Sequence, residues 1–125
     1  MNLKHTIGLA MLAFLAAVLP SKALNIGDSM VDTDVSMENI DGSKITIDGI
    51  KGDKGTLVIF TCNHCPFVLA WQKEMVAIGN EYQKKGLGVV FINSNDPSAK
   101  GDNIAGMKEM AKREGYGFPY AVDGC

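Results

Sequence analysis

The spacing of hydrophobic and polar positions changes several times along the chain, and these changes predict elements in the order β-β-β-α-β-α. Residues 35–40 and 44–47 are half-apolar and favour short strands, and Asp41-Gly42 between them is a strong hairpin signal. Residues 56–60 are continuously apolar instead, which predicts a central strand that is covered on both faces.

Residues 66–85 have the period of a helix, and one apolar stripe is predicted to face the core. The stripe consists of Val68, Trp71, Met75, Ile78 and Tyr82. Residues 87–93 then form a second apolar strand, so that strand, helix and strand predict a βαβ unit with parallel strands. A second helix is predicted over 102–114, ended by Gly115, and an extended segment over 118–122.

The pattern of residues 1–23 predicts an export signal that is not part of the folded domain. Lys4 and His5 precede an apolar run over 7–19, and the small Ser21 and Ala23 suit signal peptidase, so we expect cleavage after Ala23. As a helix the run would cover about 20 Å, less than the roughly 30 Å hydrocarbon core of a bilayer. We therefore expect a periplasmic or secreted protein that is not stably inserted in the membrane after cleavage. An uncleaved membrane anchor is the alternative.

The composition of the 125-residue chain narrows the class of protein that it can form. A hydrophobic content of 46% with 21% charged residues is typical of a globular domain, and the length fits one domain. The net charge of −2 leaves no basic patch to neutralise phosphates, which argues against nucleic acid as a partner. Three cysteines are too few for a disulfide scaffold, but two of them have a spacing that carries chemistry.

The motif Thr61-Cys62-Asn63-His64-Cys65-Pro66 stands between the predicted central strand and the long helix. A thiol at the start of a helix faces unpaired backbone N–H groups and the positive end of the helix dipole, and both favour the nucleophilic thiolate. We expect Cys62, at or near the N-cap, to gain most. Cys65, one turn in and more buried, is placed to attack a mixed disulfide on Cys62. Pro66 preorganises the start of the helix.

Asn63 and His64 lie between the two cysteines and are candidates for tuning their acidity. A positive charge on His64 would stabilise the Cys62 thiolate and make the disulfide a stronger oxidant. The alternative is an exposed turn histidine without a redox role.

Two other uses of the cysteine pair remain open but are less favoured. A structural zinc site needs two more ligands, and only His64 and Cys125 would remain after signal removal. A passive disulfide across so short a loop would contribute little chain entropy. The sequence predicts no metal and no cofactor, and neither a glycine-rich phosphate loop nor a Ser-His-Asp set stands out in it. Cys125 is left over as an odd thiol.

With these features the chain resembles the thioredoxin-like superfamily, and within it the exported proteins of the AhpC/TSA (peroxiredoxin-like) group. The resemblance runs from about Ile26 to Val122. It is carried by Ile26-Gly27-Asp28, Asp41-Gly42, the strand at 57–60, the motif with its continuation Phe67-Val68, Ile92-Asn93-Ser94-Asn95-Asp96, and Phe118-Pro119-Tyr120. It implies an α/β thioredoxin-like sandwich, a central sheet flanked by helices, with Cys62 as attacking thiol, Cys65 as resolving thiol and a redox-active disulfide between them.

The chain departs from that pattern in two ways. Peroxiredoxins have threonine three residues before a single peroxidatic cysteine, which corresponds to Cys65, and this chain has Cys62 at the threonine position. Arg113, the one arginine in the sequence, is no obvious match for the active-site arginine of that family. The C-terminal ββα part of the fold is also missing after Tyr120. The domain at 24–125 is therefore predicted to be incomplete, with an exposed edge and apolar surface beside the central strand.

The sequence thus favours a thiol-disulfide oxidoreductase that exchanges dithiols with disulfides in an exported compartment. Its partners would be protein dithiols or disulfides, or a reductase. A peroxiredoxin-like antioxidant that reduces peroxides is the first alternative. A non-catalytic or inactive thioredoxin-like module is the second.

Overall fold

A computed structural model of the protein describes residues 24–99 and 101–123. The predicted signal peptide at 1–23, its cleavage site and Cys125 lie outside the described residues. Residues 24–31 belong to a separate unit, in which the Asp28 carboxylate accepts a hydrogen bond from the backbone N–H of Asn25 in a turn. Among the described residues, none lies in a helix with the length and hydropathy needed to cross a bilayer.

The described residues of the second unit form five strands and two α-helices in the predicted order. The strands are β1 (Met37–Asn39), β2 (Lys44–Ile45), β3 (Thr56–Thr61), β4 (Gly88–Asn93) and β5 (Tyr120–Val122), and the helices are α1 (Pro66–Lys84) and α2 (Ile104–Glu114). A single 3₁₀ turn, Asp48–Ile50, lies between β2 and β3. The strand order is β2-β1-β5-β4-β3, with β3, β4 and β5 parallel and the β1–β2 hairpin antiparallel. The predicted α/β sheet with parallel β3 and β4 is therefore confirmed.

The β1–β2 hairpin turns at the predicted Asp41-Gly42. Gly42 has φ of 89°, a left-handed conformation that glycine adopts without steric cost. Its N–H donates to the Asn39 carbonyl at 2.9 Å, and the Asp41 carboxylate accepts from the Ser43 backbone at 2.8 Å. The short loop fixes the register in which Met37 faces Ile45.

Both crossover helices lie on one face of the sheet, because β3, β4 and β5 are added in one direction and such connections are right-handed. The core on this face combines α1, α2, β4 and the segment leading into β5. Its buried members are Val76, Val89, Phe91, Met107, Ala111, Phe118 and Tyr120. A second buried cluster on the other face consists of Met37, Val90, Ile92 and Ala121.

The burial predicted for β3 is wrong. Among the described residues β3 pairs only with β4, so it is an edge strand, and 66% of Phe60 is exposed. Its apolar sequence fits a central strand, but in this sheet one of its sides has no neighbouring strand. The edge and apolar surface expected beside this strand are present.

The predicted core stripe of α1 is also wrong, by one residue. The buried positions are Gln72, Val76 and Gly79, whereas Trp71 and Ile78 are 65% and 45% exposed. Tyr82 is exposed as well, and Val68 and Met75 are only partly buried. The reason is the close approach of the Phe118 ring, which leaves 2.4 Å to the position where a side chain at 79 would begin. A glycine is needed on the buried face there, and this rotates the larger apolar residues outward.

Candidate redox site

The two cysteines lie where β3 ends and α1 begins. Cys62 directly follows β3, and Cys65 occupies the N-cap of α1, with Pro66 at the first helical position as predicted. Both thiols are free and partly buried. The sequence placed Cys62 at or near the N-cap, and the structure gives that position to Cys65. Because Pro66 has no N–H, the first donors that this helix offers to Cys65 are the backbone groups of Phe67 and Val68.

The helix N-terminus acts on the thiol of Cys65. The nearby backbone N–H groups of Val68 and Phe67 lower the pKa of Cys65 from its ordinary value, because their partial positive charges favour the thiolate. Partial desolvation opposes this effect, and the neighbouring Cys62 thiol adds to it. The start of the helix therefore stabilises the thiolate of Cys65.

We expect alkylation to show this ionisation directly. A lowered pKa means that the thiolate of Cys65 persists to lower pH than that of a free cysteine, whose pKa is about 8.5. Iodoacetamide labelling of the reduced chain, followed against pH and assigned by peptide mass spectrometry, should give a Cys65 profile displaced to lower pH than that of N-acetylcysteine amide. Cys62→Ser should keep most of the displacement, because the backbone donors remain. A Cys65 profile that coincides with the free thiol would contradict this assignment.

The loop between the cysteines is held by a buried carboxylate that sequence reasoning missed. Asp102 precedes α2 and is 0% exposed. One of its oxygens, Oδ1, accepts from the backbone N–H of Asn63 at 2.7 Å and from Nδ2 of Asn93 at 3.1 Å. The other, Oδ2, accepts from Nδ2 of Asn95 at 2.9 Å and lies 2.6 Å from Nδ1 of His64. Four donors thus occupy the four acceptor positions of one carboxylate.

These contacts keep Asp102 ionised. Burial alone would raise the pKa of its carboxyl group, but the hydrogen bonds from Asn95, Asn63 and Asn93, with the charge of His64, outweigh burial and lower it. A buried charge is tolerated only when its hydrogen-bonding capacity is filled. The site is therefore built around a fixed negative charge next to the loop that carries the thiols.

Asn63 is anchored from three sides. Besides its backbone bond to Asp102, its Nδ2 donates to the Gly101 carbonyl, and its Oδ1 accepts from the hydroxyl of Tyr120 at 2.9 Å. Burial raises the pKa of Tyr120, so its hydroxyl keeps its proton and remains a donor. The side chain of Asn63 therefore fixes the loop conformation, whereas His64 is half exposed and reaches the network only through Nδ1.

Arg113 and the alternative zinc site, both considered from the sequence, are the remaining features to place in the structure. Arg113 is in the last turn of α2, where its Nε donates to Glu114 at 2.8 Å. That turn is about 14 Å along the helix from its start next to Asp102, too far for Arg113 to serve the thiols. Within 24–99 and 101–123, no group of three His, Cys, Asp or Glu side chains is arranged to hold a metal ion.

A mixed α/β sheet with a Cys-x-x-Cys pair at the junction of a parallel strand and a helix defines a thioredoxin-like protein. The model of the AhpC/TSA family matches residues 26–124, and the chain belongs to this family.

Similar proteins agree with this assignment. The thiol-disulfide oxidoreductase ResA of Halalkalibacterium halodurans is 24% identical over 87 residues, which are 70% of this chain and 46% of ResA. An uncharacterized conserved protein of Geobacillus kaustophilus is 41% identical, with a TM-score of 0.67 over 71% of this chain and 48% of that one. A PrxQ mutant of Xylella fastidiosa shares the fold, with 12% identity and a TM-score of 0.60 over 82% and 62% of the two chains. The chain spans about half the length of ResA and of the Geobacillus protein.

Proposed function

We propose that the protein is a thiol-disulfide oxidoreductase that exchanges dithiols and disulfides through Cys62 and Cys65. In the reducing direction Cys62 attacks the disulfide of a partner and forms a mixed disulfide. Cys65 then attacks the sulfur of Cys62, the Cys62–Cys65 bond forms, and the partner leaves as a thiol. The observation that carries the proposal is the Cys65 thiol at the N-cap of α1, whose lowered pKa suits the second attack. The activity named for ResA supports the same chemistry.

We further propose that the protein acts in an exported compartment on thiol or disulfide partners. Residues 1–23 have the pattern of an export signal, and an exported chain would meet an oxidising environment in which this disulfide could form. The partners would be protein disulfides or dithiols, or a reductase that recycles the pair.

Peroxide reduction is the second candidate, because the chain belongs to the AhpC/TSA family and the lowered pKa of Cys65 favours the thiolate that this reaction needs. Two observations make it less favoured. Cys62 stands where peroxiredoxins have threonine, and Arg113 is bonded to Glu114 at the far end of α2. The third candidate is a non-catalytic module, which would catalyse neither disulfide exchange nor peroxide reduction.

Separate reactions with two oxidants distinguish these three functions. The reduced full chain is mixed with oxidised glutathione or with hydrogen peroxide, and the products are identified by mass spectrometry of acid-quenched samples. We expect oxidised glutathione to produce the Cys62–Cys65 disulfide at a rate well above that of a free cysteine. We expect peroxide to react no faster than it does with a free thiol. Fast formation of a sulfenic acid with peroxide would favour the antioxidant function, and rates equal to free cysteine with both reagents would favour the non-catalytic module.

A further inference from the structure

The contact between Asp102 and His64 has chemical consequences beyond holding the loop. Nδ1 of His64 lies 2.6 Å from a carboxylate oxygen that can only accept, so Nδ1 carries a hydrogen whether the ring is neutral or charged. In the neutral ring the lone pair is then on Nε2. Among the described residues Nε2 has no hydrogen-bond partner, and 53% of the side chain is exposed. The nitrogen that can take up or give a proton is thus the one left for an incoming partner.

We propose that Asp102 is a positioning residue that holds His64 in the Nδ1–H tautomer and so makes Nε2 the proton carrier of thiol-disulfide exchange. This inference rests on the proposed function. Neutral His64 takes the proton of the Cys62 thiol as Cys62 attacks the partner disulfide. The charged ring returns that proton to the first sulfur that leaves, while the partner's other sulfur stays bonded to Cys62. When the thiolate of Cys65 attacks the sulfur of Cys62 and displaces this second sulfur, His64 gives the leaving sulfur a proton that the ring has taken up from water. The two electrons that reduce the partner come from the two thiols of the enzyme.

Three features of the site favour this role over a purely structural one. To anchor the loop, a carboxylate would need only the hydrogen bond from the backbone of Asn63. The second oxygen of Asp102 instead contacts His64 and Asn95. The asparagines fill the remaining acceptor positions, so that the carboxylate stays ionised and cannot take the proton itself. Finally, His64 adjoins Cys65 and lies two residues from Cys62, in the loop where a partner sulfur must bind.

Asp102→Asn tests the tautomer without a change in shape. Oδ1 of the new amide can still accept from the backbone of Asn63, but its NH₂ group would face Nδ1 of His64 and could no longer accept from Nδ2 of Asn95. Nδ1 must then accept, and the hydrogen of the neutral ring moves to Nε2. Long-range ¹H–¹⁵N NMR of the full chain, at a pH where the ring is neutral, distinguishes the two tautomers. We expect Nδ1–H in the wild type and Nε2–H in Asp102→Asn, with the signals of His64 identified by their loss in His64→Gln and so separated from those of His5.

A double-mutant cycle tests whether Asp102 acts through His64. We expect Asp102→Asn to slow exchange with oxidised glutathione by about 10- to 100-fold, the range that losing a tautomer-fixing partner costs at metal-bound histidines. In the His64→Gln background the same substitution should have little further effect. Asp96→Asn is the matched control, because it removes a carboxylate of the neighbouring loop that accepts a hydrogen bond from the backbone of Ser98 and, among the described residues, forms no ion pair with His64. Its rate and tautomer should equal those of the wild type.

The outcomes are separable. An Nε2–H tautomer in the wild type overturns the inference whatever the activity, and so does an effect of Asp102→Asn that is equally large without His64. If Asp102→Asn does not fold, the tautomer of the wild type and the rate of His64→Gln decide, since an unchanged rate in His64→Gln would also overturn it. A wild type that shows the Nδ1–H tautomer but no exchange would reject the proposed function, and with it the proton-carrying role, while leaving the assigned hydrogen bond in place.

Discussion

Replacing either cysteine by serine is expected to stop turnover, but the two variants should stop at different stages. Cys62→Ser removes the sulfur that forms the first bond to the partner, so oxidised glutathione or a partner protein should not become attached through residue 62. Cys65→Ser leaves that attack in place and removes the group that resolves the mixed disulfide, so the adduct on Cys62 should accumulate. Loss of an essential nucleophile usually lowers turnover by several orders of magnitude, and we expect exchange to fall to the rate of a free thiol in both variants.

The stabilised thiolate of Cys65 makes this comparison decisive. Its lowered pKa serves the resolving step in the proposed order, but the same thiolate would serve the first attack if the order were reversed. Mass spectrometry of non-reduced samples after mixing with oxidised glutathione distinguishes the two. An adduct that accumulates on Cys65 in Cys62→Ser, with none on Cys62 in Cys65→Ser, would reverse the assigned roles. Full turnover in both variants would reject the pair as the reacting group. Cys125→Ser should behave as the wild type and serves as the control for the third thiol.

Much of this site could be predicted from the sequence because its chemistry is local. Cys62, Asn63, His64, Cys65 and Pro66 are consecutive, and the change from an apolar strand to a helical period places them at a strand-to-helix junction. The helix start at Pro66 was predicted and is confirmed, and the N-cap is by definition the residue before it, Cys65. The expectation that Cys62 would gain most from the helix N-terminus did not follow from that boundary, since Cys62 lies three residues before the N-cap.

Asp102 was missed because its role depends on tertiary contacts across 39 residues of sequence. From the sequence it is one of several acidic residues, and it stands where a helix was expected to start. A partial signal was nevertheless available. The carboxyl ends of parallel strands meet at one edge of a sheet, so Asn93 and Asn95 could have been expected near the end of β3 and its cysteines. A buried acid among such amides is then a reasonable expectation, but the sequence does not say which acid.

The errors in burial have a similar cause. Hydrophobicity selected the side of α1 with Trp71 and Ile78, whereas the core needs Gly79 at the place where Phe118 approaches. Glycine has no hydrophobic side chain, so counting apolar residues cannot identify the helix face that is buried because a glycine allows close packing. Likewise Phe60 and Phe91 both lie in apolar strands, and only the order of strands shows that one is at an edge and the other is central.

Those two phenylalanines give a matched prediction for stability. Phe91 is 0% exposed, and its ring centroid lies 4.6 Å from that of Phe118 and 5.2 Å from that of Tyr116. Truncation to alanine removes these aromatic contacts and leaves a cavity between β4 and the helices, because close-packed neighbours relax only in part. We expect Phe91→Ala to lower the free energy of unfolding by about 3–5 kcal/mol, a large share of the roughly 5–15 kcal/mol of a typical domain. Urea denaturation followed by circular dichroism measures the loss.

Phe60→Ala is the control, because it makes the same chemical change in the adjacent strand at a side chain that is 66% exposed. The Phe60 side chain has little buried apolar area to lose. We therefore expect its truncation to lower the free energy of unfolding by less than about 1 kcal/mol, which is within the range of strand propensities. The comparison also tests the position of β3 in the sheet. If Phe60→Ala destabilised the chain as much as Phe91→Ala, the outer side of β3 would have to be packed in solution, and its place as an edge strand would be wrong. If both substitutions were nearly neutral, the aromatic cluster around Phe91 would not form the core on which the loop of Cys62 and Cys65 is built.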